Sequence, residues 1–208
     1  MSTIGFYRKI AGYRMITTRE AAQLCAVSIP SASMALRRLA KDGLVTPLKK
    51  GNWLVGSSAS KFGAMVAAAA EPYKAYLSGW SALRIHNLIQ QIPQTQFAIT
   101  LGRPGKVEKP GIRISLHRMK PELFGGYDYD SSVDGFVASP EKAIFDLAYL
   151  SVMNRSRISG NLPETDLKRL KWREIQGWLR RIDSVRQRTA VKQALDAMRK
   201  QHTGTDDE

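Results

Sequence analysis

The tripeptide Ser28-Ile29-Pro30 constrains this chain more than any other stretch, because it divides two segments that are each patterned for a helix. Proline disfavours helical geometry at the residue before it and presets its own backbone for a new first turn, so a second helix is expected to start around Pro30. Upstream, Thr17 or Thr18 can cap a first helix, with Glu20 and Gln23 in its opening turns and Ala21, Ala22 and Leu24 as its apolar face. This helix should stop near Val27. Downstream, Ala32, Ala35, Leu36 and Leu39 recur at helical spacing and leave Ser31, Ser33, Met34, Arg37, Arg38 and Lys41 on the other side, until Gly43 ends the run. Leu44-Val45-Thr46 and Trp53-Leu54-Val55 then read as two short strands joined by a tip containing Lys49, Lys50, Gly51 and Asn52.

Helix, turn, helix and basic hairpin in that order are how a winged helix-turn-helix reads in one dimension. A helix fits the DNA major groove, short polar and Arg side chains near its N-terminus reach base edges, and a cationic wing meets phosphate. The candidate DNA-binding residues are therefore Ser31, Ser33, Met34, Arg37, Arg38 and Lys41 on the helix and Lys49, Lys50 and Asn52 at the wing. The simpler alternative is a surface helix showing Ser and Arg to water beside a solvated tip. Charge favours the first reading. Residues 1–60 hold nine Lys or Arg against Glu20 and Asp42, a net of +7, half of the chain total of +14. Residues 61–150 carry only +2 and residues 151–208 carry +5. A pI near 10.1 with positive charge concentrated at both ends is the footprint of a protein that meets a polyanion.

Other classes find little to stand on. No run of about 18 apolar residues exists to cross a membrane, and Ala64 to Ala70 is too short. Met1-Ser2-Thr3-Ile4 opens without a signal-peptide apolar core, and the single cysteine, Cys25, has no partner for an internal disulfide, so a cytoplasmic location is expected. Cys25 falls on the buried side of the first helix and is read as an inert core thiol. His86, His117 and His202 lack metal-ligand spacing, and neither a metal nor a cofactor is expected. Gly102-Arg103-Pro104-Gly105-Lys106 superficially resembles a phosphate loop, but two residues separate its glycines where four are needed and Val107 stands where Ser or Thr would bind magnesium. It reads as a hairpin tip. Asp128, Asp130 and Asp134 would serve a metal-dependent nuclease, yet they lie in a Gly, Ser and Tyr-rich segment that reads as a turn.

Beyond the wing, Gly56-Ser57-Ser58-Ala59-Ser60 is of linker type, which places a boundary near 60 and divides the chain into 1–60 and 61–208. The first part alone buries only a marginal core, so the two should pack closely. Phe62 to Ala70 reads as a short helix, Lys74 to Leu77 as a strand, and Gly79 to Gln90 as a helix with Trp80, Leu83, Ile85, Leu88 and Ile89 as its apolar set. Gln96 to Leu101 and Ile112 to Leu116 alternate as strands and are expected to pair as a hairpin. Tyr127 to Val137 is extended, and Ser139, Pro140 and Glu141 open a well-marked helix. Helices near 164–182 and 184–199 follow. On the former, Leu167, Leu170, Ile175, Trp178, Leu179 and Ile182 form an apolar stripe, and Arg169, Arg173, Gln176 and Arg180 step along another face as a possible track for a nucleic-acid backbone. A solvated flank explains that row equally well.

Two motifs carry a family resemblance. The stretch Tyr76-Leu77-Ser78-Gly79-Trp80-Ser81-Ala82-Leu83-Arg84-Ile85-His86, followed by Gln91-Ile92-Pro93, and the stretch Ala138-Ser139-Pro140-Glu141-Lys142-Ala143-Ile144-Phe145-Asp146 resemble the AbiEi-type antitoxins of type IV abortive-infection toxin-antitoxin operons. With the N-terminal segment, the resemblance covers roughly residues 10–150. It implies a repressor of its own operon that counters a nucleotidyltransferase-like toxin without a stable protein complex. By position, DNA reading falls on Ser31, Ser33, Arg37, Arg38, Lys49 and Lys50, and no catalytic role transfers to the middle motifs. His86, on one helical face with Trp80 and Leu83, is expected to be a hydrogen-bonded core histidine.

The expectation is an α+β protein with an N-terminal winged helix-turn-helix and a mixed C-terminal domain ending in helices, acting as a repressor and antitoxin and not as an enzyme. Its partner is double-stranded DNA bearing an inverted repeat. Without a sustained heptad pattern, a monomer that pairs on DNA is expected. Two alternatives stay open: a DNA-processing enzyme targeted by the winged helix, and a plasmid or mobile-element regulator with no toxin partner.

Overall fold

The computed structural model describes residues 2–56, 61–109, 112–154, 165 and 167–203, and within them the chain is an α+β fold with two sheets. The expected boundary near 60 lies outside the described residues. No helix among those described is long and apolar enough to cross a membrane.

The N-terminal part opens with helix α1 (Thr3–Ile10), capped by Ser2, which buries Phe6 and Ile10. Strand β1 (Met15–Thr17) leads directly into α2 (Thr18–Cys25). Thr17 accepts the Glu20 N–H at 3.1 Å while Glu20 accepts the Thr17 N–H at 2.7 Å, a reciprocal cap of the kind worth about 1 kcal/mol. Helix α2 ends on left-handed Ala26 (φ 52°), and the Val27 N–H closes the turn onto the Ala22 carbonyl. Ala21, Ala22 and Cys25 are buried, and Leu24, expected on that face, is 37% exposed, because a helix this short buries a single narrow stripe. Helix α3 (Ile29–Lys41) is capped by Ser28 and begins one residue before Pro30. That is sterically allowed because the first four N–H groups of a helix have no internal partner, so a proline at its second position removes no bond. Gly43 (φ 71°) ends α3, with the Leu44 N–H donating back to the Leu39 carbonyl. Strands β2 (Val45–Lys49) and β3 (Asn52–Val55) complete an antiparallel sheet of order β1-β3-β2. Ala32, Leu36 and Leu39 of α3 meet Phe6, Ile10 and Ile16 in this core.

The second part is built on a six-stranded mixed sheet. Its elements are α4 (Phe62–Ala70), β4 (Ala75–Leu77), α5 (Gly79–Ile85), β5 (Gln96–Thr100), β6 (Gly105–Lys109), β7 (Ile112–Arg118), β8 (Tyr127–Asp130), β9 (Gly135–Ala138), α6 (Pro140–Met153), α7 (Trp172–Arg180) and α8 (Val185–Thr203), with strand order β6-β7-β5-β4-β9-β8. Helix α6 is buried from Glu141 to Ser151 and takes α5, α7 and α8 around it. Gly63 of α4 crosses Gly135 so closely that a Cβ on Gly63 would sit 2.6 Å from the Gly135 Cα, which is why neither position carries a side chain.

Four expectations are corrected. Strands β5 and β7 run parallel and do not form a hairpin; β7 pairs instead with β6, which passes for loop because Lys106, Glu108 and Lys109 are the charged residues that protect a sheet edge. Gly105 and Lys106 therefore lie in a strand and not at a hairpin tip. Helix α5 stops at Ile85, before left-handed Asn87 (φ 57°), although Leu88 and Ile89 remain buried. The helix expected at 164–182 is broken: Leu167–Arg169 forms a 3-10 turn and α7 starts at Trp172, because the Lys171 N–H is drawn to the Glu141 carboxylate of α6 at 3.0 Å.

The two parts are fastened together. Leu48 and Leu54 of the small sheet are buried in the same core as Met65 and Val66 of α4. At the surface, Arg14 pairs with Asp134 at 2.7 Å, and Tyr129 donates to the same carboxylate at 2.6 Å.

Candidate nucleic-acid interface

Helix α3 is held from behind and open in front. Ala32, Leu36 and Leu39 are fully buried, which fixes the rotation of the helix and points the next residues outward. Arg37, Arg38 and Lys41 are exposed, and among the described residues none of their side chains enters an ion pair or hydrogen bond. Met34 is 56% exposed and Ser33 half-buried on the same side. Ser31 is exposed too, but its hydroxyl lies 2.8 Å from that of Ser28 and its N–H donates to Ser28 Oγ, so it belongs to the cap of the helix as much as to its surface. Ile29, 50% exposed, stands at the open start of α3 and not on this face; the rule that proline ejects its predecessor from a helix hid its place in the helix.

The hairpin tip is short and pinned. Only Lys50 and Gly51 separate β2 from β3, and Gly51 needs its positive φ of 80° to make that turn. The Thr18 N–H donates to the Gly51 carbonyl at 2.8 Å, and Trp53 Nε1 donates to Thr18 Oγ1 at 2.9 Å, which ties the tip to the first turn of α2. Lys50 is exposed. Asn52 is half-buried in β3 and not in the tip, and the Lys49 side chain lies outside what is described.

The late basic row does not form one track. Arg173 and Arg180 are exposed two turns apart on α7, whereas Arg169 stands on the preceding 3-10 turn, separated from them by buried Leu170.

The two middle motifs converge in the interior. Lys142 pairs with Asp146 one turn on, and both side chains are wholly buried. Ser78 donates to Asp146 Oδ2 at 2.7 Å and Tyr76 at 3.1 Å. Burial holds the Lys142 ammonium below its ordinary pKa and the Asp146 carboxyl above it, while burial and the neighbouring Asp146 push the Tyr76 phenol well up. Lys142 Nζ also sits 4.7 Å from the centre of the Trp178 ring, with the Arg181 guanidinium 4.1 Å from the same centre. His86 Nε2 lies 2.8 Å from the Ala138 carbonyl, joining the two motifs. Tyr76 and Ser78 are bonded to Asp146, Asp146 to Lys142 and His86 to the Ala138 carbonyl, so the motifs knit β4, the cap of α5 and α6 together.

Asp128, Asp130 and Asp134 do not converge. Asp134 is taken by Arg14 and Tyr129, Asp130 accepts from Ser132, which holds its pKa below the usual carboxylate value, and exposed Asp128 lines a cleft of about 440 Å³ with Trp178 and Arg181. Among the described residues no group of three His, Cys, Asp or Glu is placed to hold a metal ion. In comparison with known proteins, no family model matches the chain and no curated protein matches it.

Proposed function

We propose that residues 2–56 form a winged helix-turn-helix, that α3 is its recognition helix, and that the chain is a sequence-specific DNA-binding repressor of its own operon. The observation that carries the reading is the exposed face of α3, where the side chains of Arg37, Arg38 and Lys41 have no partner among the described residues, on a helix whose other side is locked into a core. Three unpaired cations on a rigid, groove-sized element fit a polyanion better than solvent alone. The net charge of +7 over residues 1–60 points the same way.

The resemblance of the middle motifs to the AbiEi-type antitoxins supports the second half of the reading. The chain counters a nucleotidyltransferase-like toxin without a stable complex, and the C-terminal part supplies the scaffold that this task needs. Two copies occupy an inverted repeat. Val191, Leu195 and Met198 of α8 are spent on packing within their own chain, which leaves no apolar seam there for a coiled-coil dimer in solution, so pairing belongs to the DNA. Arg173 and Arg180, exposed on α7, offer a separate cationic contact for a nucleic-acid backbone.

A reporter placed behind the operon's own promoter tests the repressor assignment. Wild-type protein represses it, and the double variant Arg37→Ala/Arg38→Ala, expressed at equal level, does not; equal repression by both overturns the assignment of α3. Co-expression with the adjacent toxin tests the antitoxin assignment separately, through growth rescue by proteins that do not co-elute. Substitution is the correct tool, because deleting residues 1–60 would strip Leu48 and Leu54 from the body core.

A further inference from the structure

The exposed face of α3 changes character along its length. The N-terminal half of the helix leaves two large apolar side chains in water: Met34, 56% exposed, lies on the side of the helix that carries Arg37, Arg38 and Lys41, and Ile29, 50% exposed, stands at the open N-terminal end about 140° around the axis from Met34. Leaving apolar surface in water costs roughly 25 cal/mol for each Å² that a partner would cover, so each of these side chains, both in the N-terminal turns of the helix, gains from being covered. The hydroxyl of Ser31, the polar group nearest the start of the helix, is shared with Ser28 in the cap. Among the described residues this leaves the half-buried Ser33 hydroxyl as the side-chain hydrogen-bonding group of the first half of the helix without a partner, beside the methyl and methylene groups of Ile29 and Met34.

In a helix-turn-helix the N-terminal residues of the recognition helix approach the base edges. Those edges carry hydrogen-bond donors and acceptors in the major groove, and the one apolar feature among the four bases is the C5-methyl group of thymine. We propose that Ile29 and Met34 read thymine methyl groups in each half-site, while Arg37 and Arg38 bind an adjacent guanine or phosphate. The inference rests on α3 being the recognition helix and adds to it the chemistry of the site it selects. A protein surface is the other partner that would cover these apolar side chains, but Arg37, Arg38 and Lys41 beside Met34 complement a polyanion and not an apolar protein patch.

The test uses the full chain. Duplexes are selected from a randomised library, and the winning sequence is resynthesised with deoxyuridine at each thymine in turn, which deletes one methyl group and no hydrogen-bonding group. Wild-type protein should lose about fourfold in affinity for each contacted methyl, the worth of one buried carbon. Met34→Ala should lose a similar factor on the thymine duplex and become indifferent to deoxyuridine at one position, while Met34→Leu keeps the sensitivity; Ile29→Ala should do the same at a second position. Because both residues are solvent-facing, thermal midpoints should stay unchanged and rule out misfolding as the cause. A selected site without thymine, or full wild-type affinity for the all-deoxyuridine duplex, overturns methyl reading and leaves α3 as a DNA-reading helix. Met34→Ala protein that stays sensitive at every position also overturns it. If no sequence is enriched at all, α3 is not a recognition helix and the wider reading falls with it.

Discussion

Helices α3 and α6 begin alike and end in opposite uses. Each follows a serine cap with a proline in its first turn, and they run for 13 and 14 residues. In α3 one stripe is buried and the cations on the other side have no side-chain partner among the described residues. In α6 every residue from Glu141 to Ser151 is buried, and its one cation is satisfied by Asp146 on the same helix. The lesson is that a charged residue in a motif says little until its surroundings are known. The long motif around Lys142 and Asp146 holds the fold together, whereas the plainer sequence around Arg37 and Arg38 leaves its charges available for a ligand.

The contrast is broken most forcefully at Asp146. Asp146→Ala leaves the Lys142 ammonium buried without its counter-ion and should destabilise the protein by about 3–5 kcal/mol in denaturant titration. Lys142→Met/Asp146→Leu, which removes both charges, should recover most of that loss. A single variant as stable as the wild type would show that the pair is not holding α6 in place.

On α3 the expected pattern is reversed. Arg37→Ala or Arg38→Ala should leave the unfolding midpoint unmoved, since both side chains are exposed. At least one of them should weaken binding to the selected duplex by about 1–3 kcal/mol, the range for a bidentate base contact. Loss of stability in place of affinity would place these residues with Lys142 and erase the distinction.

The smallest effect is expected at the hairpin tip between β2 and β3. Lys50→Ala should flatten the slope of log affinity against log salt by about 0.9, the value for one phosphate contact, and should weaken specific and nonspecific duplexes alike. An unchanged slope would mean that the tip, pinned to α2 through Thr18, does not reach the backbone.

The order of elements was legible from caps and turn residues. Ser28, Gly43 and Ser139 each end or begin a helix where their side chain or backbone freedom is needed. Pairing between distant strands was not legible. Nothing in Gln96–Thr100 or Ile112–Arg118 states that they run parallel, because buried alternation looks the same in either direction and the intervening edge strand is charged enough to read as loop. The site was half legible: the cationic side of α3 follows from helical spacing, while Ile29 was hidden by Pro30 and the separation of Arg169 from Arg173 depends on Glu141, some 30 residues earlier in the chain. The convergence of Tyr76, Ser78, Lys142 and Asp146 was not visible at all, since it exists only once β4 and α6 are packed.

The central claim is that the exposed face of α3 reads DNA sequence. Its most direct measurement is the ratio of affinities for the selected duplex and a scrambled duplex of equal length, at physiological salt, for the wild type and for Arg37→Ala/Arg38→Ala. The account predicts a ratio of about 10³ or more for the wild type, as for specific DNA-binding proteins generally, and a ratio that collapses toward one for the variant with its fold intact. Equal wild-type affinity for both duplexes, or a variant that keeps the full ratio, would contradict it.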